Sequence, residues 1–271
     1  MKIVFMGTPD FAVPTLLRLL RDGHTVCGVF TQPDKARGRS NTLQPTPVKA
    51  AALEHGIPVY QPKSMKTPET LELLRQLSPE LIVVIAFGKI LPGAVLELSA
   101  HGCINVHASL LPKYRGAAPI QWSVLNGEGK TGVTTMQMDA GIDTGDMLLR
   151  AETPIGAEET AADLQDRLSQ MGAQLCSETI AALQNGTLTR TPQDSALSWN
   201  RRIFLCGVPE RISGKKRFRI IMFPIKGGAR HVGYPFGNCR GSARRYSFDE
   251  GARISRRADL HLAAAKGRGK L

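Results

Sequence analysis

No two cysteines in this chain are spaced as Cys-x-x-Cys; Cys27, Cys103, Cys176, Cys206 and Cys239 lie scattered along the 271 residues. That pattern offers neither a zinc site nor a disulfide framework. Cys27 and Cys103 fall in apolar, strand-like runs and read as small buried residues. Long hydrophobic runs are missing too: the longest, Leu81 to Phe87, is far short of the roughly 20 residues that span a bilayer. The opening Met1-Lys2-Ile3-Val4-Phe5-Met6 has too short an apolar core for a secretion signal and reads as a first strand. The cytoplasm is therefore the expected location, with no membrane partner. A dinucleotide fingerprint is absent as well. Met6-Gly7-Thr8-Pro9-Asp10 turns from strand into helix, but Gly7 stands alone where Gly-x-Gly-x-x-Gly would let a backbone approach a pyrophosphate.

Acidic residues are scarce in one part of the chain only. Residues 201–271 hold 18 Lys/Arg against 4 Asp/Glu, whereas residues 1–200 hold 17 against 19. The net charge of +12 thus belongs to the tail, and an argument for nucleic acid from overall charge concerns that last quarter alone.

What is present alternates. Phe11, Val13, Leu16, Leu17 and Leu20 recur at helical spacing after the first strand, and His24 to Thr31 gives a second strand. A polar stretch with Pro33, Gly38, Pro45 and Pro47 follows from Gln32 to Pro47 and is expected to be an irregular loop. Loops of that length in compact domains usually bind something. Val48 to His55 and Thr67 to Leu77 read as helices, Val59-Tyr60 as a brief strand, and Leu81 to Ala86 as a strand covered on both faces. Further strands are expected at Cys103 to His107, Val133 to Met138 and Met147 to Glu152. Leu164, Leu168, Met171, Leu175 and Leu183 form the apolar stripe of a long helix from Ala157, ended by Asn185-Gly186. Strands and helices in this rhythm predict a doubly wound, mostly parallel α/β sheet. Ligands of such sheets bind at the carboxyl ends of the strands.

One strand end carries chemistry. In Cys103-Ile104-Asn105-Val106-His107, alternation puts Ile104 and Val106 on one face and Asn105 and His107 on the other. An amide that donates to a developing oxyanion, beside an imidazole that exchanges a proton near neutral pH, suits acyl transfer. Taken alone, the tripeptide reads more readily as a polar strand edge. Asp143, in the Gly-rich turn Asp139-Ala140-Gly141-Ile142-Asp143-Thr144-Gly145-Asp146, supplies a third polar group. Its bland reading is a carboxylate satisfied by turn amides.

The wording of the whole resembles the folate-dependent formyltransferases, in the branch that formylates methionyl-tRNA. The matching pieces are Met6-Gly7-Thr8-Pro9-Asp10-Phe11-Ala12, Val29-Phe30-Thr31-Gln32-Pro33-Asp34, Asn105-Val106-His107, Ser109-Leu110-Leu111-Pro112, Arg115-Gly116-Ala117-Ala118-Pro119-Ile120-Gln121, and Met136-Gln137-Met138-Asp139 with Asp143-Thr144-Gly145-Asp146-Met147. They run in the family's order from Met1 to about Trp199. The resemblance implies a Rossmann-like catalytic domain over 1–190 and a linker over 191–200. It also implies a formyl group passed from 10-formyltetrahydrofolate to the α-amino group of methionyl-initiator tRNA. Asn105, His107 and Asp143 would be catalytic, and Ser109, Leu110, Leu111 and Pro112 would contact the folate, the leucines as an apolar wall. Lys35, Arg37 and Arg39 would face the tRNA, although Ser40-Asn41-Thr42 stands where relatives keep a basic run. No metal is implied, and a monomer is expected.

The resemblance stops near residue 200. Relatives continue into a small β-barrel, whose expected segments are absent here. Residues 201–271 are instead a tail with Lys215-Lys216-Arg217, Arg244-Arg245 and Arg256-Arg257, without Trp and with little periodicity beyond Ile220 to Phe223. A change of reading frame near Asn200 and a basic RNA-binding arm both account for it. Two further readings stay open: formylation of a small amine such as a sugar nucleotide, and a non-catalytic RNA-binding protein that uses the tail.

Overall fold

Local sequence signals set most of the element boundaries. A computed structural model describes residues 1–37 and 42–194 and, beyond them, 206–212, 215–222 and 244–248. Strand β1 (Lys2–Gly7) leads through a short 3-10 turn at Asp10–Ala12 into α1 (Val13–Arg21), followed by β2 (Thr25–Phe30). Next come β3 (Lys35–Arg37), β4 (Thr42–Gln44), α2 (Pro47–Glu54), β5 (Val59–Tyr60) and α3 (Pro68–Leu77). Thr46 and Thr67 cap α2 and α3 by accepting the amides of Lys49 and Thr70, and a proline at each first turn sacrifices no intrahelical bond. The chain continues through β6 (Leu81–Ile85), α4 (Gly93–Leu96), β7 (Cys103–His107), α5 (Pro119–Leu125), β8 (Lys130–Gln137), β9 (Met147–Pro154) and α6 (Ala161–Gln184). A reciprocal Thr160–Asp163 capping box starts α6 four residues later than the apolar stripe implied.

Seven strands form one sheet in the order β5-β2-β1-β6-β7-β8-β9. The first five pair in parallel, and β8 and β9 are added antiparallel at one edge. The doubly wound, mostly parallel sheet expected from the sequence is the architecture found. Chain order reverses between β1 and β6, which opens a crevice at the carboxyl ends of the central strands.

Alternation along the strands divides the core. Ile3, Phe5, Leu81, Val83, Ile85, Ile104 and Val106 pack under α1, α2, α5 and α6. Val4, Met6, Ile82, Val84 and Cys103 pack on the other side with residues of α3 and α4. Residues two apart on a strand share a face, so Asn105 and His107 project on the side of Cys103. Gly172 lets α6 lie close over β7, because a Cβ there would stand 3.0 Å from Val106 Cγ1.

One expectation is corrected. The stretch from Gln32 to Pro47 is not wholly irregular: β3 and β4 pair antiparallel, Lys35 with Gln44 and Arg37 with Thr42. The prolines that argued against strands, Pro33 and Pro45, flank the paired residues and so remove no ladder donor. In the tail, β10 (Cys206–Ile212), β11 (Lys215–Met222) and β12 (Arg244–Phe248) form a three-stranded antiparallel sheet where little periodicity was read.

Candidate functional site

Asn105 occupies the interior of β7, paired with Val84 of β6 on one side and Met136 of β8 on the other. Both neighbours complete the backbone ladder, so the amide side chain is what remains to act. Asn105 is only 9% exposed. Its side chain makes no hydrogen bond among the described residues, and the sealed polar atoms lacking a partner do not include it. Its amide is therefore unpartnered without being sealed off.

His107 follows at the strand's end, 7% exposed. Its Nε2 lies 2.9 Å from the carbonyl oxygen of Tyr114. A carbonyl only accepts, so that nitrogen carries the proton and Nδ1 is left to exchange one. Nδ1 in turn lies 3.5 Å from Asp143 Oδ2. The same carboxylate oxygen accepts the Gly116 amide at 2.7 Å. Asn105, His107 and Asp143 come from β7 and from the turn between β8 and β9, and the structure brings the imidazole and the carboxylate together.

The two loops that frame this pair are held in uncommon backbone. Tyr114 (φ 61°), Ala118 (φ 59°) and Asp143 (φ 52°) are all left-handed without being glycine. Each such residue costs on the order of 1–2 kcal/mol, and such residues persist where their surroundings over-determine them. Tyr114 is moored by its hydroxyl to Glu128 Oε1 (2.5 Å), and Asn126 Nδ2 donates to that hydroxyl (2.8 Å). Lys113 Nζ meets Glu128 Oε2 at 2.8 Å. Burial raises the Glu128 carboxyl, but the Lys113 and Tyr114 hydrogen bonds outweigh it and leave the group below its ordinary range. In the second loop, Asp139 Oδ1 accepts from the Gly141 amide (3.0 Å) and from Thr144 Oγ1 (2.7 Å). Gly145 has no alternative, because a Cβ there would collide with the carbonyl oxygen of Gln137.

Cys103, two residues before Asn105, is no nucleophile. Burial pushes its thiol up to about 12, and Sγ donates to the Val95 carbonyl at 3.6 Å. A thiol so placed stays protonated at neutral pH.

The remaining predicted positions are placed unevenly. Ser109 is fully buried and donates to the Lys113 carbonyl at 2.6 Å. Leu111 is also fully buried, packed against Met136 and Met147. Its side chain belongs to the core, which corrects the expectation of a two-leucine wall; Leu110, half-buried, is what remains of it. Pro112 is half-buried and follows a cis peptide bond. Lys35 is exposed on β3, and Arg37 ends that strand. Arg39 lies outside the described residues.

Sequence reasoning missed three positions. Thr134, opposite His107 on β8, donates to the Ser109 carbonyl (2.7 Å) and accepts the Leu111 amide (3.1 Å), fixing the turn to the sheet. Tyr114 supplies the carbonyl that orients His107. Gln193, in the stretch read as a linker, contacts both framing loops. Nothing in the local pattern of these three distinguishes them from surface polar residues. Among the described residues no three His, Cys, Asp or Glu side chains cluster as a metal ion would require.

Comparison with known proteins gives a consistent picture. The sequence profile of the family described as Formyl transferase matches residues 1–180. The methionyl-tRNA formyltransferase of Geobacter metallireducens is 59% identical over 198 residues, 73% of this chain and 64% of its own length. This chain thus spans about 62–64% of the length of the curated relatives it matches. Among solved structures, the glycinamide ribonucleotide transformylase 1 of Symbiobacterium toebii superposes with a TM-score of 0.58 at 20% identity, covering 71% of this chain and 93% of that one. A sugar 3N-formyl transferase solved in the presence of dTDP and 5-N-formyl-THF has a TM-score of 0.58 at 20% identity, covering 86% of this chain and 91% of that one.

Proposed function

This chain belongs to the formyl transferase family, and from that premise we propose that it passes a formyl group from 10-formyltetrahydrofolate to the α-amino group of methionyl-tRNA. The observation that carries the reading is the meeting of His107 Nδ1 with the Asp143 carboxylate, beside the unpartnered amide of Asn105. The folate supplies a formyl carbon attached to nitrogen, ready for attack by an amine. The chain's own residues then have two tasks.

The first is charge. As the amine attacks, the formyl oxygen gains negative charge, and the free Asn105 amide is a donor already fixed in a buried strand. The second is the proton. The attacking nitrogen must lose one and the departing nitrogen must gain one. With Nε2–H committed to the Tyr114 carbonyl, Nδ1 of His107 is the atom that takes and returns it. Asp143 faces the resulting imidazolium, and the Gly116 amide keeps that carboxylate aimed. Backbone groups of Ser109 to Pro112 and the Leu110 side chain offer the folate its contact surface, and Lys35, Arg37 and Arg39 offer cations to tRNA phosphates. We place this activity in a monomer in the cytoplasm, for the start of translation.

The choice of methionyl-tRNA over a smaller amine rests on the relatives at 59% identity, since the solved structures at 20% speak for the fold alone. The test is a formyl-transfer assay with methionyl-tRNA and 10-formyltetrahydrofolate, run beside His107→Ala and beside a sugar-nucleotide amine. Transfer to methionyl-tRNA that His107→Ala abolishes is the expected result. Transfer that survives the substitution, or that prefers the small amine, would sink the assignment.

A further inference from the structure

The chain beyond α6 does not leave the site at once. Thr191 exchanges both backbone hydrogen bonds with Met147, at 2.9 and 2.8 Å. Two residues on, the Gln193 side chain enters between the two framing loops. Its Nε2 donates to the carbonyl oxygens of Asp143 (3.0 Å) and Gly145 (2.6 Å), and its Oε1 accepts from Arg115 Nε (2.8 Å). Arg115 is 6% exposed, and its guanidinium also reaches the Asp194 carbonyl at 3.5 Å. A buried guanidinium needs an acceptor, and two carbonyls need donors. A neutral amide meets both demands at once; a carboxylate would satisfy the arginine and repel the carbonyls.

We propose that Gln193 is a positioning residue of the formyl-transfer site, whose amide holds Asp143 in its left-handed backbone and ties it, through Arg115, to the loop that presents Gly116 and Tyr114. The proposal rests on the reading of Asn105, His107 and Asp143 given above. Asp139 secures the near side of the Asp143 turn through Gly141 and Thr144, but the carbonyl of Asp143 itself accepts from Gln193. Release that bond and a residue at φ 52° is free to relax toward ordinary backbone, carrying its carboxylate away from His107 Nδ1 and from the Gly116 amide. Gln193 also lies outside the residues 1–180 that the family profile matches, so the segment after α6 completes the site.

The test uses the full chain with Gln193→Ala and Gln193→Glu, with His107→Ala as the reference for an inactive site. Both Gln193 variants should lose kcat by about 10- to 100-fold with KM for either substrate within about threefold, the pattern of lost transition-state positioning. Independently of turnover, hydrogen exchange at the Gly116 amide should quicken at least about tenfold in both variants while the Ile104 and Val106 amides stay protected. Near-parent kcat with unchanged Gly116 protection would overturn the proposal, as would a defect confined to KM, or exchange that quickens throughout β7. If the parent chain transfers no formyl group, the assignment of the reaction falls. The Gly116 measurement then decides alone whether Gln193 holds Asp143: quickened exchange upholds the clamp and unchanged exchange overturns it.

Discussion

Asn105 is a nearly buried side chain that no described protein group engages, so its removal leaves no partner stranded. Asn105→Ala should therefore fold as well as the parent and lose kcat by about 100- to 1,000-fold, the usual cost of one oxyanion donor. Steady-state kinetics beside a thermal melt would show it. Cys103 gives the opposite expectation. With its thiol pushed to about 12, it should resist thiol reagents in the folded chain and react after denaturation, which mass spectrometry of labelled protein would register. At this scale the sequence was partly legible. Alternation along Cys103 to His107 named the face and the residues, because a strand's period of two is a local property. The contact of His107 with Asp143 spans 36 positions of chain and became visible only when β8 folded back antiparallel on β7. The Tyr114 carbonyl and the Gln193 amide were invisible for the same reason.

Among elements, the turn from Asp139 to Asp146 is the least tolerant. Gly145→Ala drives a methyl group into the Gln137 carbonyl, and relief requires the turn to move as a unit. The expected cost is roughly 2–3 kcal/mol of stability, in the range of steric and backbone defects, with activity falling further because Asp143 moves with it. Urea unfolding and kinetics on one preparation would separate the two. Asp34, immediately before β3, is tied to α2. Lys49 Nζ, 2.5 Å from its Oδ2, and the Gln61 amide hold its carboxyl below the ordinary value of 3.8. A folded-state value depressed below the unfolded one adds stability at pH above the ordinary value, and that stability fades as pH falls through the depressed value. Asp34→Asn should flatten the acid limb of stability below about pH 4, as pH-dependent melts would reveal. The helix start at Pro68 was readable from Thr67-Pro68-Glu69, a local cap signal, whereas Pro47 falls in the stretch expected to be loop and yet opens α2. The α6 start was misplaced because the stripe from Ala157 outweighed Thr160 and Asp163. The β3–β4 ribbon was missed because proline counts overrode pairing.

For the whole molecule, the fold class followed from the rhythm of apolar runs, but the strand order did not. Rhythm predicts a parallel sheet; it does not say that β8 runs against the other strands and that β9 turns back beside it. Among the described residues, the buried core clusters lie within residues 3–180. A chain ended after Asp194 keeps all of these clusters and should melt within about 3 °C of the parent, a shift of about 1 kcal/mol. One ended after Arg190 should melt similarly but lose kcat as the Gln193 variants do, since the four residues between carry the Met147 pairing and the amide contacts. Matching kinetics from the two shortened chains would show that the boundary belongs before 191, as the sequence alone had placed it.

Thr191 is zipped to Met147 at the rim of the sheet, immediately after the Gly145-Asp146 corner. Tension applied to the polypeptide downstream of residue 194, by a docked partner or a tethered bead, would be delivered to that corner before it reached any helix. Such load would turn the aim of one carboxylate before it loosened any part of the core.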